Sequence, residues 1–304
     1  MKTVTLSISA MCISALLLGI STGASAQEGS DIYLGKLNVW HKNPVTDIVR
    51  LTDTEGYTNQ PYFFNNRHLY FTQALIQGEQ SQTDIFSFQL SDSSTINITN
   101  SAESEYSPTP LPNEAGMSVI KVNAEGKQEL WALDAEGKPL QHLAPTVEPV
   151  GYQVWLNDEE LLLFVLGEPN TLQRVNIDST KATSIVIDEN IGASLAQFER
   201  SNWFLYSQGT DAPLLKAYNA KSGDTIDITA LPQGSQYFSV STTGHVITSD
   251  GKTLYHRQLI VKGDAVRAEG SWKSINIEVE ACQSGISRTA ISHFGDKIAL
   301  VCPR

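Results

Sequence analysis

Short stretches in which apolar and polar residues alternate recur along the whole chain, separated by clusters of Asn, Asp, Gly, Ser and Pro. Alternation with a period of two, rich in β-branched and aromatic residues and bounded by turn formers, predicts β-strands. The first such stretch, "SDIYLGKL" at 30–37, has a near-copy at 83–90, "TDIFSFQL". Four more segments align with this pair: "ELWALDA" (129–135), "TLQRVNI" (171–177), "PLLKAYN" (213–219) and "TLYHRQL" (253–259). Each is followed by a turn-rich gap and a second apolar segment, such as "STINIT" or "DTIDIT". Each after the first is preceded by a hairpin-like pair, such as "PYFFNNRHLYFT" at 61–72. Four-strand units recurring at roughly 45 residues have the size of propeller blades. The stretch "ASLAQFERSNWFLY" (193–206) could pass for a helix by itself, but its place in the repeat makes it a hairpin. An all-β chain with almost no helix is expected.

The last unit stops after "ISRTAISHFGDKIALVC", a hairpin with no third or fourth strand behind it. The missing strands stand at the other end, as "DIYLGKL" and "TDIVRLT". The two ends therefore complete one blade, which leaves only short, protected sheet edges. The prediction is a single six-bladed β-propeller domain over 27–304. Its blades are 57–99, 100–145, 146–188, 189–229, 230–277, and a composite of 278–304 with 30–52.

The hairpin "AISHFGDKIALV" (290–301), the Asp-Ile-aromatic strands and the closing Leu51-Thr52 and Ile98-Thr99 pairs together resemble the TolB-like six-bladed propellers with WD40-like (PD40) repeats. The resemblance covers essentially all of the chain beyond residue 26, and its motifs specify a fold. The stretch before Ser30 is too short for the additional N-terminal α/β domain of TolB itself, so the resemblance implies the propeller and not that protein's role.

Residues 1–26 carry Lys2, an apolar run around "ALLLGI" and a small-x-small site at Ala24-Ser25-Ala26. That is the pattern of a cleavable signal peptide, too short in its apolar core to span a membrane. A periplasmic or secreted protein is expected. The net charge of −12 becomes −13 once Lys2, the one charged residue of the first 26, is removed. An acidic surface argues against nucleic acid and anionic membranes as partners, and favours a soluble monomer. The two cysteines beyond the leader, Cys282 and Cys302, would sit in an oxidising compartment. Position 302 should lie across from about Ser287, too far from Cys282 along an extended strand. The intervening Ser284-Gly285 can curl the chain back, and a bridge is expected.

Chemistry is much less legible. The chain has no HExxH, GxSxG, CxxC or phosphate loop, and no βα alternation for a dinucleotide. No cofactor is expected, and the protein is expected to be a non-enzymatic binder. His68, His245 and His293 fall in the inner hairpins of neighbouring blades. As a weaker alternative they could hold a metal for a hydrolase or lyase working in the central channel. The stronger reading puts His68 and His245, which align with Lys297, on the solvent side of a turn. The loops leading from each outer strand to the next inner strand carry Tyr57, Tyr106, Tyr152 and Tyr237 with Glu103, Glu105 and Glu148. Aromatic faces among carboxylates suit a peptide, protein or glycan of the cell envelope. These seven residues are the candidate binding face. Taken singly, each tyrosine reads more readily as an interblade wedge, and each acid as a solvated loop residue; only the cluster as a whole reads as a binding face.

Overall fold

The computed structural model describes residues 29–304 apart from 79, 178–182, 199–200, 263–264 and 278–279. The segment expected to be a signal peptide, residues 1–26, lies outside the described residues. Six four-stranded antiparallel sheets follow one another along the chain. Their innermost strands are Thr58–Phe63, Ser104–Pro110, Val150–Trp155, Ile191–Gln197, Phe238–Val240 and Arg288–Ile291. Each packs beside the next, and the sixth returns to the first, so the ring is closed. The expected blade limits hold to within a residue: the outer strands Ser184–Glu189 and Thr225–Ala230 each run one position further. The ambiguous stretch at 193–206 is a hairpin of Ile191–Gln197 with Trp203–Gln208. Among the described residues the one helical turn is a 3-10 turn at Glu280–Cys282, and no helix is long and apolar enough to cross a membrane.

The composite blade has the order Val45–Arg50, Ser30–Leu37, Lys297–Pro303, Arg288–Ile291. Its two chain ends pair from Ser30↔Pro303 to Lys36↔Lys297. A buried carboxylate reinforces the join. Asp31 receives Arg50 Nη2 at 2.6 Å, and Arg304 through Nε at 2.9 Å and Nη2 at 3.0 Å. Burial raises the Asp31 pKa, but the two guanidinium groups outweigh it and hold the carboxyl below its ordinary range.

The repeated Asp-Ile-aromatic signature has a local cause. Ile32 N–H donates to Thr52 Oγ1 at 2.8 Å, and Ile85 N–H donates to Thr99 Oγ1 at 3.0 Å. In these two units the closing Thr thus satisfies the backbone of the strand that opens with Asp. The degenerate inner turns are closed by one kind of bond, a short polar side chain accepting from backbone further on. In blade 1 Asn65 Oδ1 accepts from His68 N–H, and in blade 3 Asn157 Oδ1 accepts from Glu160 N–H. In blade 6 Ser292 Oγ accepts from Lys297 N–H. Short polar side chains that bond backbone a few residues on will make such turns from unlike sequences.

Apolar residues gather in six layers, one between each pair of neighbouring blades. This explains why some strands read as unbroken apolar runs. In "ELLLFV", Leu161, Leu163 and Val165 pack towards blade 2, while Leu162 and Phe164 pack towards blade 4. Both faces of such a strand are buried.

Cys282 and Cys302 are bonded, with Cα atoms 5.0 Å apart. Arg288 pairs with Val301, which puts Cys302 across from Ser287 as expected. The chain then doubles back between 282 and 286, where Gly285 N–H bonds Cys282 C=O. Gly285 has φ +116°, and a Cβ there would lie 1.9 Å from Gly251 O, so only glycine fits this bend.

Candidate functional site: one channel mouth

The innermost strands supply the channel lining, and one register position on them carries the distinctive side chains. Asn59 pairs with Thr72, Tyr106 with Ile120, Tyr152 with Phe164, and Arg288 with Val301. In each case the partner is the fifth residue of the second strand. By the same count Tyr237, just before the Phe238↔Thr248 pair, faces Ser249. In blade 4 the position is Gly192, where a Cβ would meet Ser207 Oγ. Around the ring it therefore reads Asn, Tyr, Tyr, Gly, Tyr, Arg.

Three of these groups meet in the centre. Blades 3 and 6 are opposite one another, yet Arg288 Nη2 donates to Tyr152 Oη at 2.8 Å. The Arg288 guanidinium carbon lies 3.8 Å from the Tyr237 ring centroid and 5.1 Å from that of Tyr152. The two tyrosine rings are 6.5 Å apart and edge-on. This bridge spans the channel at its mouth. Arg288 and Tyr57, Tyr106, Tyr152 and Tyr237 all keep partial exposure. Neighbouring strands hold the arrangement in place. Gln60 Nε2 reaches Tyr152 Oη at 3.5 Å, and Gln60 Oε1 accepts from Thr72 Oγ1 and Ser107 N–H, each at 2.8 Å. Gln60 and Ser107 both have positive φ, 54° and 56°, at irregularities of pairing in strands 58–63 and 104–110. Such bulges re-aim side chains beside functional surfaces.

The electrostatics follow from this packing. Burial pushes the Tyr152 phenol up, but the Arg288 charge and hydrogen bond outweigh it and bring it below the usual phenol range. Tyr237, beside Tyr152 and also buried, is pushed up to about 12. Burial pushes Tyr57 up against the Arg288 charge. Burial disfavours the Arg288 cation, yet the surrounding phenols more than offset this and raise its pKa.

The acids proposed from sequence do not join the tyrosines. Glu105 is 2% exposed in the seam between blades 1 and 2, bonded to Ser101 Oγ, and burial pushes it up to about 7. Glu103 pairs with Lys121. Glu148 lies 3.6 Å from Lys127 and near Glu129 and His142, away from the channel. The reason is the strand itself: Glu105 and Tyr106 are adjacent, so they point to opposite faces.

The histidines are scattered too. His245, expected at the solvent, is 3% exposed. Trp40, from the loop between the two N-terminal strands, covers it edge-on at 4.8 Å, and His256 is 6.1 Å away. Burial pulls His245 down to about 4. His68 is half-buried beside Ser87 Oγ at 3.3 Å, and His293 lies 6.0 Å from Phe294. Among the described residues, the group of three whose ligand atoms lie within 4.8 Å of one another is Glu129, His142 and Glu148, on the outer side of blade 2. Glu129 is already engaged there by Asn123 Nδ2 at 2.7 Å and Trp131 Nε1 at 2.9 Å.

No protein-family model matches the chain, and no curated protein matches it in sequence. Its fold is nevertheless shared with solved structures. A TolB from Agrobacterium tumefaciens matches with TM-score 0.66 at 12% identity, over 91% of this chain and 99% of that one. TolB from Acinetobacter baumannii matches with TM-score 0.52 at 10% identity, over 90% of this chain and 63% of its own. A structure assigned as a gluconolactonase matches with TM-score 0.52 at 12% identity, over 92% and 94%. At these identities the likeness is one of fold, and the chain is a TolB-like six-bladed propeller in that sense.

Proposed function

We propose that this protein is an exported, non-enzymatic propeller that recognises a peptide, protein or glycan of the cell envelope at the tyrosine-lined mouth. The carrying observation is that Tyr106, Tyr152, Tyr237 and Arg288 occupy one register position in four blades, with partly exposed aromatic faces around a guanidinium. Rigid strands aiming aromatic and cationic groups into a mouth are a means of holding a ligand. The disulfide fits export, because such bonds persist in oxidising compartments. Residues 1–26 act as the cleaved leader in this reading, and 27–304 form a single domain.

The test is affinity capture from envelope extract with immobilised protein. A partner retained by the wild type should be lost with Tyr237→Ala and kept with Trp40→Ala, which alters the opposite mouth. Equal retention by all three proteins would overturn the assignment of this mouth. The second reading, a metal-assisted hydrolase or lyase in the channel, draws on the gluconolactonase likeness. Elemental analysis addresses it: stoichiometric zinc or manganese in purified protein would favour an enzyme.

A further inference from the structure

Arg288 differs from the partly buried cations that hold a carboxylate partner. Arg174 has Glu160, Lys216 has Asp188, and Arg50 and Arg304 share Asp31. Among the described residues no carboxylate lies within ion-pair distance of Arg288. Its neighbours are phenols, and its Nε is buried with no hydrogen-bond partner. A guanidinium whose Nε is shut off from water calls for an anion, and hydroxyl groups supply only part of that.

The shape of the surroundings narrows the choice. The flat face of the guanidinium lies over Tyr237, and Tyr152 stands to one side. With the Tyr237 ring against the guanidinium and Tyr152 Oη taking one Nη2 proton, the remaining N–H groups are left for recognition. A guanidinium edge presents two parallel N–H donors, the geometry that a planar carboxylate accepts in bidentate fashion. At the equivalent position of blade 4, Gly192 adds no side chain of its own to the mouth.

We propose that Arg288 is a ligand-binding residue that takes a carboxylate group of the bound partner, with Tyr237 stacked on the guanidinium and Tyr152 orienting it. This deepens the reading of the mouth as a binding site and rests on it. A chain-terminal carboxylate, an acidic side chain and a uronic acid share this chemistry.

The experiment is an NMR titration of the arginine Nε–H resonances in the protein lacking residues 1–26. The probes are N-acetylglycine, N-acetylglycinamide, galacturonate and inorganic phosphate. The expected result is a saturable shift of one arginine resonance with N-acetylglycine or galacturonate, and none with the amide. Whichever of the two carboxylates binds more tightly identifies a peptide-like or a sugar-acid source. The shift should vanish in Arg288→Met, and Arg288→Lys should weaken binding at least about tenfold, since lysine lacks the planar fork. No saturable shift in the wild type overturns the proposal even if no variant folds, and so does an unchanged response in Arg288→Met. Tighter binding of phosphate than of either carboxylate also overturns it. A partner captured through Tyr237 in the absence of any carboxylate response would leave the binding mouth standing and remove only this inference.

Discussion

At the scale of single residues, the mouth and the seams hold ionisable groups in opposite kinds of environment. Tyr152 is brought down by Arg288 although burial opposes it. Arg288→Met should leave burial unopposed, so the earliest tyrosine ionisation in a spectrophotometric titration near 295 nm should move to higher pH. A titration curve identical to that of the wild type would mean that the two groups do not interact in solution. Glu105 is the converse case, a carboxyl raised to about 7 by burial. Its unfolded value is about 4.3. Between those pH values the folded protein keeps a proton that the unfolded chain has released. Its contribution is therefore fully present below about pH 4.3 and is lost as pH rises through about 7. Glu105→Gln should abolish this loss and gain on the order of 3–4 kcal/mol relative to wild type at pH 8, with little difference at pH 4. Denaturant unfolding at the two pH values checks it.

At the scale of strands and turns, the repeat was readable because each unit obeys the same local rules. The Asp-Ile-aromatic strand and the closing Thr recur because a hydroxyl must satisfy the Ile N–H. The composite blade followed from strands that one end of the chain lacks and the other supplies. The tyrosines are legible as a residue recurring at the start of four of the six inner strands. Their companion Arg288 is hidden in the sequence because "ISRTAIS" places an Arg where three other units carry Tyr, and only the strand register aligns them. The acids were misplaced because composition of a loop does not say which face of the following strand each residue takes. His245 was misplaced because Trp40, which covers it, arrives from a blade-completing loop some 200 residues away in sequence. The disulfide belongs to this scale as well. It closes a sequence separation of 20 between the turn at Glu280–Cys282 and the last strand, Lys297–Pro303. Cys282→Ser should cost about 2–3 kcal/mol by freeing the unfolded chain, seen as a lower denaturation midpoint. An unchanged midpoint would mean that strand pairing alone holds this corner.

At the scale of the whole molecule, the ring is held by six interblade layers and one non-covalent join, where Ser30–Leu37 lies between Val45–Arg50 and Lys297–Pro303. Deleting 27–52 removes two strands from that blade and should give an aggregating or unfolded product. A soluble deletion variant with cooperative, native-like melting would contradict the shared blade. The same ring gathers one position from separate blades into a single mouth, and that mouth is the centre of the functional proposal. Tyr106 and Tyr152 also touch the interblade layers, so binding and packing must be separated on the same samples. The most direct measurement is therefore partner retention and equilibrium unfolding, carried out side by side on Tyr106→Ala and Tyr152→Ala. The expected result is loss of retention with a stability cost below about 2 kcal/mol, well short of a truncated core aromatic. Full retention together with a loss of about 3–5 kcal/mol would make these tyrosines wedges and the mouth no site at all.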